Sequence, residues 1–532
     1  MTFRMTFPQR ARTHRVLVVA LTLCFSIAAR AQSVLPPATE SEIRELLNAP
    51  QFADAHIGIC IENLGIVVNN AAFPSRRTGA PQTLFAQDAD KRFLPASNMK
   101  LFTAAIALQT LGENKTFATT VFASSTRNGG ALYLRGGGDP SLTIADLKQL
   151  ARDVRRRGIT RVSDVFADDS LFRAEGFGGR YPDGWTLDDA LWYYGPEASA
   201  LALERNQIDI TIEATKVGQT AKVTVSPQLP GFALGREISV DVQTVALPAT
   251  TSTTPVPSIQ FDRADARSAI GAKLTVRGQI ALGKTATEGI AVPNIARIAA
   301  LAFARELRAA GIEVGGRVDA RVLPTKLVAS PTTLARHDSA PLRVLVQRFL
   351  KKSDNLYGEM FLRSVGVAAC HTSSTRSRNT SVESVSNGVS SVGAAALGHG
   401  ELLRWLQLQN VTTSSLRLSD GSGLSRYNLL TPRAVVELLR AVDATNQGAF
   451  YDALPIAGVD GTLANRMKDT AAANNVRAKT GTFSIANCLS GYVTTRDNRR
   501  LAVSVMTNFV RDGSEARRLQ NEIMIALAAT SW

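Results

Sequence analysis

The stretch Leu101–Leu111 is apolar on all sides except at Thr103, Gln109 and Thr110. A helix of that kind has no face to give to water and must lie inside a domain. Gly112 follows it directly, the residue type that ends a helix with a left-handed cap. The chain must therefore build layers around this segment. It has 532 residues, 45% hydrophobic and 20% charged, which excludes a mainly disordered or collagen-like protein and leaves material for about three domains. The start of the helix is Ser97-Asn98-Met99-Lys100. The i, i+3 spacing puts a hydroxyl and an amine one turn apart on one face. Ser97 sits at the positive end of the helix dipole, where developing negative charge is favoured. A serine hydroxyl is a poor nucleophile until a neighbour takes its proton. Lys100 can do so only when neutral, and both burial and a nearby positive charge lower a lysine pKa. Taken alone the pattern is weak, since about one or two Ser-x-x-Lys arise by chance at this length.

Two further short motifs lie downstream. Leu342, Leu345, Val346, Phe349 and Leu350 fall at i, i+3, i+4, i+7, i+8, an amphipathic helix. It runs into Ser353-Asp354-Asn355, and a second helix is expected over Leu356–Val365. A break between helices projects a hydroxyl and an amide outward: Ser353 suits proton relay from Lys100 to a leaving group, and Asn355 suits binding a substrate amide. The plainer reading is a helix cap, for which these residue types are preferred. Lys479-Thr480-Gly481-Thr482 begins a strand. Lys479 can attract a substrate carboxylate and help keep Lys100 neutral, and Gly481 lets another element approach the strand. The N–H groups of Ser97 and Thr482 suit an oxyanion hole. The plainer reading here is a strand start with a glycine turn. The three motifs together say more than any one, because each supplies a role the others lack and each lies on an element suited to that role.

The N-terminus has the layout of a secretory signal peptide. A basic stretch ends at Arg15, the apolar run Val16–Ala29 follows, and Ala29-Arg30-Ala31 is a small-x-small cleavage site. The run is shorter than the roughly 20 residues of a transmembrane helix; a buried helix or uncleaved anchor is the other reading. No later stretch is long and apolar enough to span a bilayer, so a soluble protein outside the cytoplasm is expected. The net charge is +15, from 60 Lys+Arg against 45 Asp+Glu. Arg4, Arg10, Arg12, Arg15 and Arg30 leave with the leader, so the mature chain carries 15 − 5 = +10. A basic surface suits nucleic acid, acidic lipid or an anionic wall polymer equally. Cys60, Cys370 and Cys488 remain after loss of Cys24; Cys60 and Cys488 lie in strand-like stretches and suit small core positions. No disulfide is expected. The sequence has no His-Glu-x-x-His zinc site, no Gly-x-Ser-x-Gly elbow and no phosphate loop.

Texture divides the chain. His56–Asn63 alternates with Ile57, Ile59 and Ile61 on one side, and Thr83–Asp88 is a second candidate strand. From about 130 to 328 short β-like segments (Gln207–Ala214, Ala221–Val225, Lys273–Ile280) are separated by Gly, Pro and Thr, with a helix at Ile295–Ala310. Residues 372–391 are rich in Ser and Thr and read as a mobile loop. Asn487–Thr494 and Leu501–Thr507 read as a hairpin through Arg496-Asp497-Asn498, and Ser514–Ala528 as a closing helix.

Ser-x-x-Lys, Ser-Asp-Asn and Lys-Thr-Gly together are the signatures of penicillin-binding proteins and class A β-lactamases. Gly136-Gly137-Gly138-Asp139-Pro140-Ser141-Leu142, Asp420-Gly421-Ser422-Gly423-Leu424-Ser425-Arg426 and Gly458-Val459-Asp460-Gly461-Thr462-Leu463 narrow the likeness. Over nearly the whole mature chain the sequence resembles the class C low-molecular-mass penicillin-binding proteins, the D-alanyl-D-alanine carboxypeptidase/endopeptidases. The resemblance implies an α+β fold: a penicillin-binding/β-lactamase-like transpeptidase domain, its five-stranded antiparallel sheet flanked by helices, with two inserted, mainly β domains. The expected division is a signal peptide at 1–31, a DD-peptidase domain at 34–130 plus 329–532, an inserted domain at 131–206 plus 287–328, and a second at 207–286 nested in the first. It implies Ser97 as acylated nucleophile, Lys100 as general base, Ser353 as proton relay and Lys479 as carboxylate anchor. Substrate binding would fall to Asn355 and to Lys479, Thr480, Gly481 and Thr482. Expected partners are peptidoglycan stem peptides, with β-lactams as covalent inhibitors; no metal, organic cofactor or nucleic acid is expected, and membrane association is at most peripheral. A periplasmic or envelope location follows. The Ser-rich segment after Arg363 is longer than the family leads one to expect, and Cys488 stands where a plain apolar residue is expected. The competing functions are a β-lactamase, for which the insertion is too large, and a non-catalytic wall-binding protein with a vestigial serine site.

Overall fold

The computed structural model describes residues 34–66, 81–125, 128–172, 180–246, 258–263, 273–324, 332–376, 393–445 and 447–532. The signal peptide expected at 1–31 lies outside these residues, as does most of the Ser-rich segment.

Around the buried helix stands a five-stranded antiparallel sheet. Its strands are β1 (His56–Ile66), β2 (Gln82–Gln87), β3 (Arg477–Phe483), β4 (Ala486–Thr494) and β5 (Arg499–Asn508), in the order β3-β4-β5-β1-β2. Successive side chains point to opposite faces of a strand, and here both faces are covered. Ile57, Ile59 and Ile61 of β1, with Leu501, Val503 and Val505 of β5, join one core. It is closed by α1 (Pro37–Leu47) and the C-terminal helix α7 (Gly513–Ala529), through Ile43, Ile523 and Leu527. Cys60 of β1 and Ala502 and Met506 of β5 join the other core. Burial on both faces explains why β4 and β5 are almost continuously buried along their length.

The second core is built around α2 (Met99–Leu111), in which Met99–Leu108 are all buried. Helices that surround or abut it among the described residues include α3 (Leu342–Lys352), α4 (Asn355–Arg376), α5 (Ala394–Leu408) and α6 (Pro432–Ala444). Gly112 ends α2 with φ +82°. The Ser-rich stretch is not wholly loop: α4 carries on to Arg376, and the remainder lies outside the described residues. No described helix is long and apolar enough to cross a membrane.

Between α2 and α3 the chain forms a second five-stranded sheet. Its strands, in spatial order, are Val318–Ala320, Val165–Asp168, Leu132–Arg135, Ala118–Ala123 and Thr332–Asp338. Helices Ile144–Arg156 and Ile295–Ala309 pack on it, the first opened by a capping box between Thr143 and Asp146. Two three-stranded sheets follow, one of Gln207–Glu213, Lys222–Ser226 and Thr285–Ala291, the other of Ile238–Val245, Ile259–Arg263 and Leu274–Ala281. The second sheet straddles the junctions expected at 130/131 and 328/329. Ala118–Ala123 and Thr332–Asp338 pair with each other and belong to it. The 286/287 junction likewise falls inside Thr285–Ala291, which pairs with Gln207–Glu213. Composition shifts at loops, whereas strand pairing reaches past them. Gly136 and Gly137 are required by contact, since a Cβ on either would lie 2.2 Å from the carbonyl oxygen of Ala200 or Ala118.

Phe102, fully buried in α2, tests the central position of this helix. Phe102→Ala is expected to cost about 3–5 kcal/mol, read as a lower urea midpoint with an unchanged slope.

Candidate active site

Ser97 lies in a single 3-10 turn, Ala96–Asn98, that leads into α2 rather than in the helix itself. Ala96 is held at φ +45°, a strained conformation for a residue with a side chain. Three elements meet this turn. Lys100 rises from the first turn of α2 and is fully buried. Its Nζ stands 2.8 Å from Ser97 Oγ, 2.5 Å from Asn355 Oδ1 and 2.6 Å from the carbonyl oxygen of Ser422. Asn355 opens α4, and its Nδ2 donates to the carbonyl oxygen of Tyr194 at 2.7 Å. That bond fixes which end of the amide faces the lysine, because a flipped amide would oppose two oxygens.

The geometry around Nζ assigns its protons. A neutral amine has two N–H groups and one lone pair. Asn355 Oδ1 and the Ser422 carbonyl can only accept, so they take both hydrogens, and the lone pair is left for the hydroxyl proton of Ser97. Burial lowers the Lys100 pKa to about 8 against the opposing pull of Asp420, Asp354 and Glu359. Lys479 is held well below the ordinary lysine range, by burial first and then by the Lys100 charge, and repulsion between two amines acts on both.

β3 runs beside the Ser97 turn. A Cβ at Gly481 would lie 2.6 Å from the Pro95 carbonyl oxygen and 3.2 Å from the Ser97 nitrogen, so only glycine allows the approach. Thr480 and Thr482 line a cavity of about 750 Å³ together with Ser97, Ser353 and Asn355. Lys479 does not line it; its side chain is fully buried and donates to the Thr480 carbonyl oxygen at 2.8 Å. Thr480 Oγ1 donates to Thr462 Oγ1 at 2.8 Å, while Lys351 at the end of α3 pairs with Asp460 at 2.6 Å. The Gly-Val-Asp-Gly-Thr-Leu stretch thus clips β3 to α3. Ser353 caps α3 in a left-handed conformation, φ +57°. It shares the cavity wall with Ser97, but among the described residues its hydroxyl bonds to neither Ser97 nor Lys100. Cys488 pairs in register with Gly481 on the neighbouring strand, yet it points into the α2 core. Its thiol lies 3.5 Å from the Leu94 carbonyl oxygen and burial pushes its pKa up to about 12.

Several contributors are not evident from the motifs. The Ser422 carbonyl is held by the Asp420–Asn428 loop, where the buried Asp420 carboxylate accepts from Gly423 N, Ser425 N, Asn428 Nδ2, Ser422 Oγ and Trp185 Nε1 at 2.6–3.2 Å. Trp185 comes from the inserted region, as do Tyr194 and Asp189; Asp189 pairs with Arg426 beside the cavity. Glu359, one turn along α4 from Asn355, accepts from Gly421 N at 2.9 Å and pairs with Arg363 at 2.9 Å, both side chains being buried. Burial and the Asp420 charge raise its pKa to about 7 against the pull of Arg363. The i, i+4 spacing of Asn355 and Glu359 was the available signal; the Trp185 and Tyr194 contacts span the insertion and left none.

A family model described as the D-Ala-D-Ala carboxypeptidase 3 (S13) family matches residues 62–530. The chain is 33% identical over 469 residues to a D-alanyl-D-alanine carboxypeptidase of Actinomadura sp. (strain R39), covering 85% of this chain and 80% of that protein. It is 28% identical over 464 residues to the D-alanyl-D-alanine carboxypeptidase DacB of Haemophilus influenzae, covering 85% and 88%. The crystal structure of penicillin binding protein 4 (dacB) from H. influenzae superposes with a TM-score of 0.71 at 26% identity, covering 90% of this chain and 97% of that one. Its complex with a β-lactam repeats the fold at 0.66 and 23% identity, covering 91% and 97%.

Two outcomes are expected. Gly481→Ala pushes β3 off the Ser97 turn and slows acylation by fluorescent penicillin on the order of 10- to 100-fold. The acylation rate rises with pH as Lys100 loses its proton, with a midpoint near 8. Glu359 is ionised at that pH and raises the Lys100 pKa, so Glu359→Gln, which keeps an acceptor for Gly421, moves the midpoint to lower pH in a stopped-flow pH series.

Proposed function

Because the chain belongs to the D-Ala-D-Ala carboxypeptidase 3 (S13) family, and is thus a serine-type peptidase, we propose that Ser97 is its nucleophile and peptidoglycan stem peptides its substrate. The observation that carries this reading is the buried Lys100 amine, held against two groups that can only accept, with Ser97 Oγ 2.8 Å away. Lys100 takes the hydroxyl proton as Ser97 Oγ bonds the carbonyl carbon between two D-residues. The carbonyl electron pair moves to oxygen, where the N–H groups of Ser97 and Thr482 stabilise it. Collapse expels the D-alanine amine, which receives the Lys100 proton through the Ser353 hydroxyl. Water, deprotonated by Lys100, then releases the acyl group and restores Ser97.

Asn355 serves chiefly to orient Lys100, because both ends of its amide are engaged inside the protein. The substrate carboxylate meets the Thr482 hydroxyl, with Lys479 supporting that strand from behind. β-Lactams acylate Ser97 and leave slowly. Among the described residues the carboxylates lining the cavity are Asp189 and Asp354, each close to arginine, and neither is set to activate a deacylating water. That disfavours a β-lactamase. Export by the leader at 1–31 places the enzyme in the periplasm or cell envelope.

Ser97→Ala is expected to reduce D-alanine release from a stem pentapeptide by about four orders of magnitude or more. Intact-mass measurement is expected to show one penicillin adduct per wild-type chain, on Ser97, and none on the variant. Release that survives in the variant overturns the assignment.

A further inference from the structure

The cavity beside Ser97 has a second wall, made of Arg205, Arg348, Lys352 and Asp354. Three cations face one carboxylate, a local excess of +2. Arg348 Nε stands 3.6 Å from Asp354 Oδ2 and Arg205 Nη1 stands 4.0 Å from it. Both separations exceed a hydrogen bond, so Asp354 offsets charge without taking a donor. Among the described residues neither guanidinium donates a hydrogen bond to any group, Arg348 Nε being buried without a partner. Lys352 is exposed and makes no ion pair among the same residues. The neighbouring Arg426 is already matched with Asp189, so the surplus belongs to this wall alone.

The backbone that delivers Arg205 is strained. Glu204, Arg205 and Asn206 follow one another at φ +50°, +57° and +55°, and side-chain-bearing residues adopt such angles only where their surroundings impose them. The flanking two are tied down: Glu204 Oε1 accepts from Ile144 N at 2.8 Å, and the buried Asn206 Nδ2 donates to the Glu197 carbonyl oxygen at 3.0 Å. Arg205, between them, is bound by neither tie and reaches into the cavity from the inserted region. Unused forked donors, surplus charge and a strained turn coincide at one place, next to Ser353.

We propose that this wall is a subsite for a carboxylate on the departing fragment of the substrate, contacted by Arg205, Arg348 and Lys352. It rests on the peptidase reading above, in which Ser353 hands a proton to the leaving amine, so the wall that continues from Ser353 faces what departs. Forked guanidinium donors match the two oxygens of a carboxylate. A departing fragment with a carboxylate beyond that of a single D-alanine is a second peptide strand. The subsite therefore discriminates between departing strands by the carboxylates they carry.

The test uses the full mature chain, with protection of Ser97 from fluorescent penicillin as the readout. One competitor is a cross-linked stem-peptide dimer whose departing strand carries free carboxylates; the other is the same dimer with those carboxylates amidated. The free acid is expected to half-protect at about tenfold lower concentration, the effect of a charge-assisted contact at a partly exposed site. About 0.5 M salt should shrink that ratio. Arg205→Gln and Lys352→Gln should each bring it towards one, and Lys352→Glu should bring it below the Gln variant. Lys352 is exposed, so its variants keep the test open if the strained turn does not tolerate change at Arg205. Equal protection by both dimers in the wild type, or a ratio unchanged in the variants while Ser97 still labels, overturns the subsite alone. Failure of wild-type Ser97 to label overturns the peptidase reading and the subsite with it.

Discussion

The arrangement depends on one amine with three neighbours. Lys100 Nζ is surrounded by Ser97 Oγ, Asn355 Oδ1 and the Ser422 carbonyl oxygen, and two of these cannot give a proton. The two acceptors therefore leave the lone pair of a neutral lysine facing the third. Each belongs to a different part of the chain, so the direction of the lone pair is a tertiary property. Asn355 is held through Tyr194, and Ser422 through Asp420 and Glu359. Loosening any of these would first let the amine turn away from the serine, before the two came apart.

The same site sets burial against charge. A fully buried lysine is expected to stay neutral, and burial is indeed the largest influence on Lys100. Yet Asp420, Asp354 and Glu359 pull the other way and keep its pKa near 8. At that pKa the amine is mostly protonated at pH 7 and gains its lone pair as the pH rises through 8; one much less basic would be a weak proton acceptor, and one much more basic would stay charged there too. The surroundings of α2 are thus less uniformly apolar than its own sequence, because the neighbours that matter arrive on α4 and on the Asp420 loop.

What was legible in the sequence was local. The apolar run of α2, the alternation of β1, the heptad-like spacing of α3 and the β4–β5 hairpin all follow from period and from turn residues, and they appear with small shifts at their ends. The serine to lysine spacing was legible for the same reason. What was not legible was long-range. Strand pairing carries the second sheet across the junctions expected from composition. The burial of Lys479 depends on the Ser97 turn and β3 lying close together, a closeness that appears only as a glycine in the sequence. The segments of the inserted region say nothing by themselves of Trp185 or Tyr194 reaching the peptidase side.

That reach has an evolutionary corollary. Trp185 Nε1 is one of the donors on the buried Asp420 carboxylate, and Asp183 offers its carbonyl oxygen to both Ser419 and Ser425 of the same loop. A lineage that trimmed the insertion down to a compact plan would strand an acid in the protein interior, and the loop beneath Lys100 would lose its clamp. The two parts of the chain have consequently become hard to separate by deletion. Shortening one demands simultaneous replacement of a residue in the other.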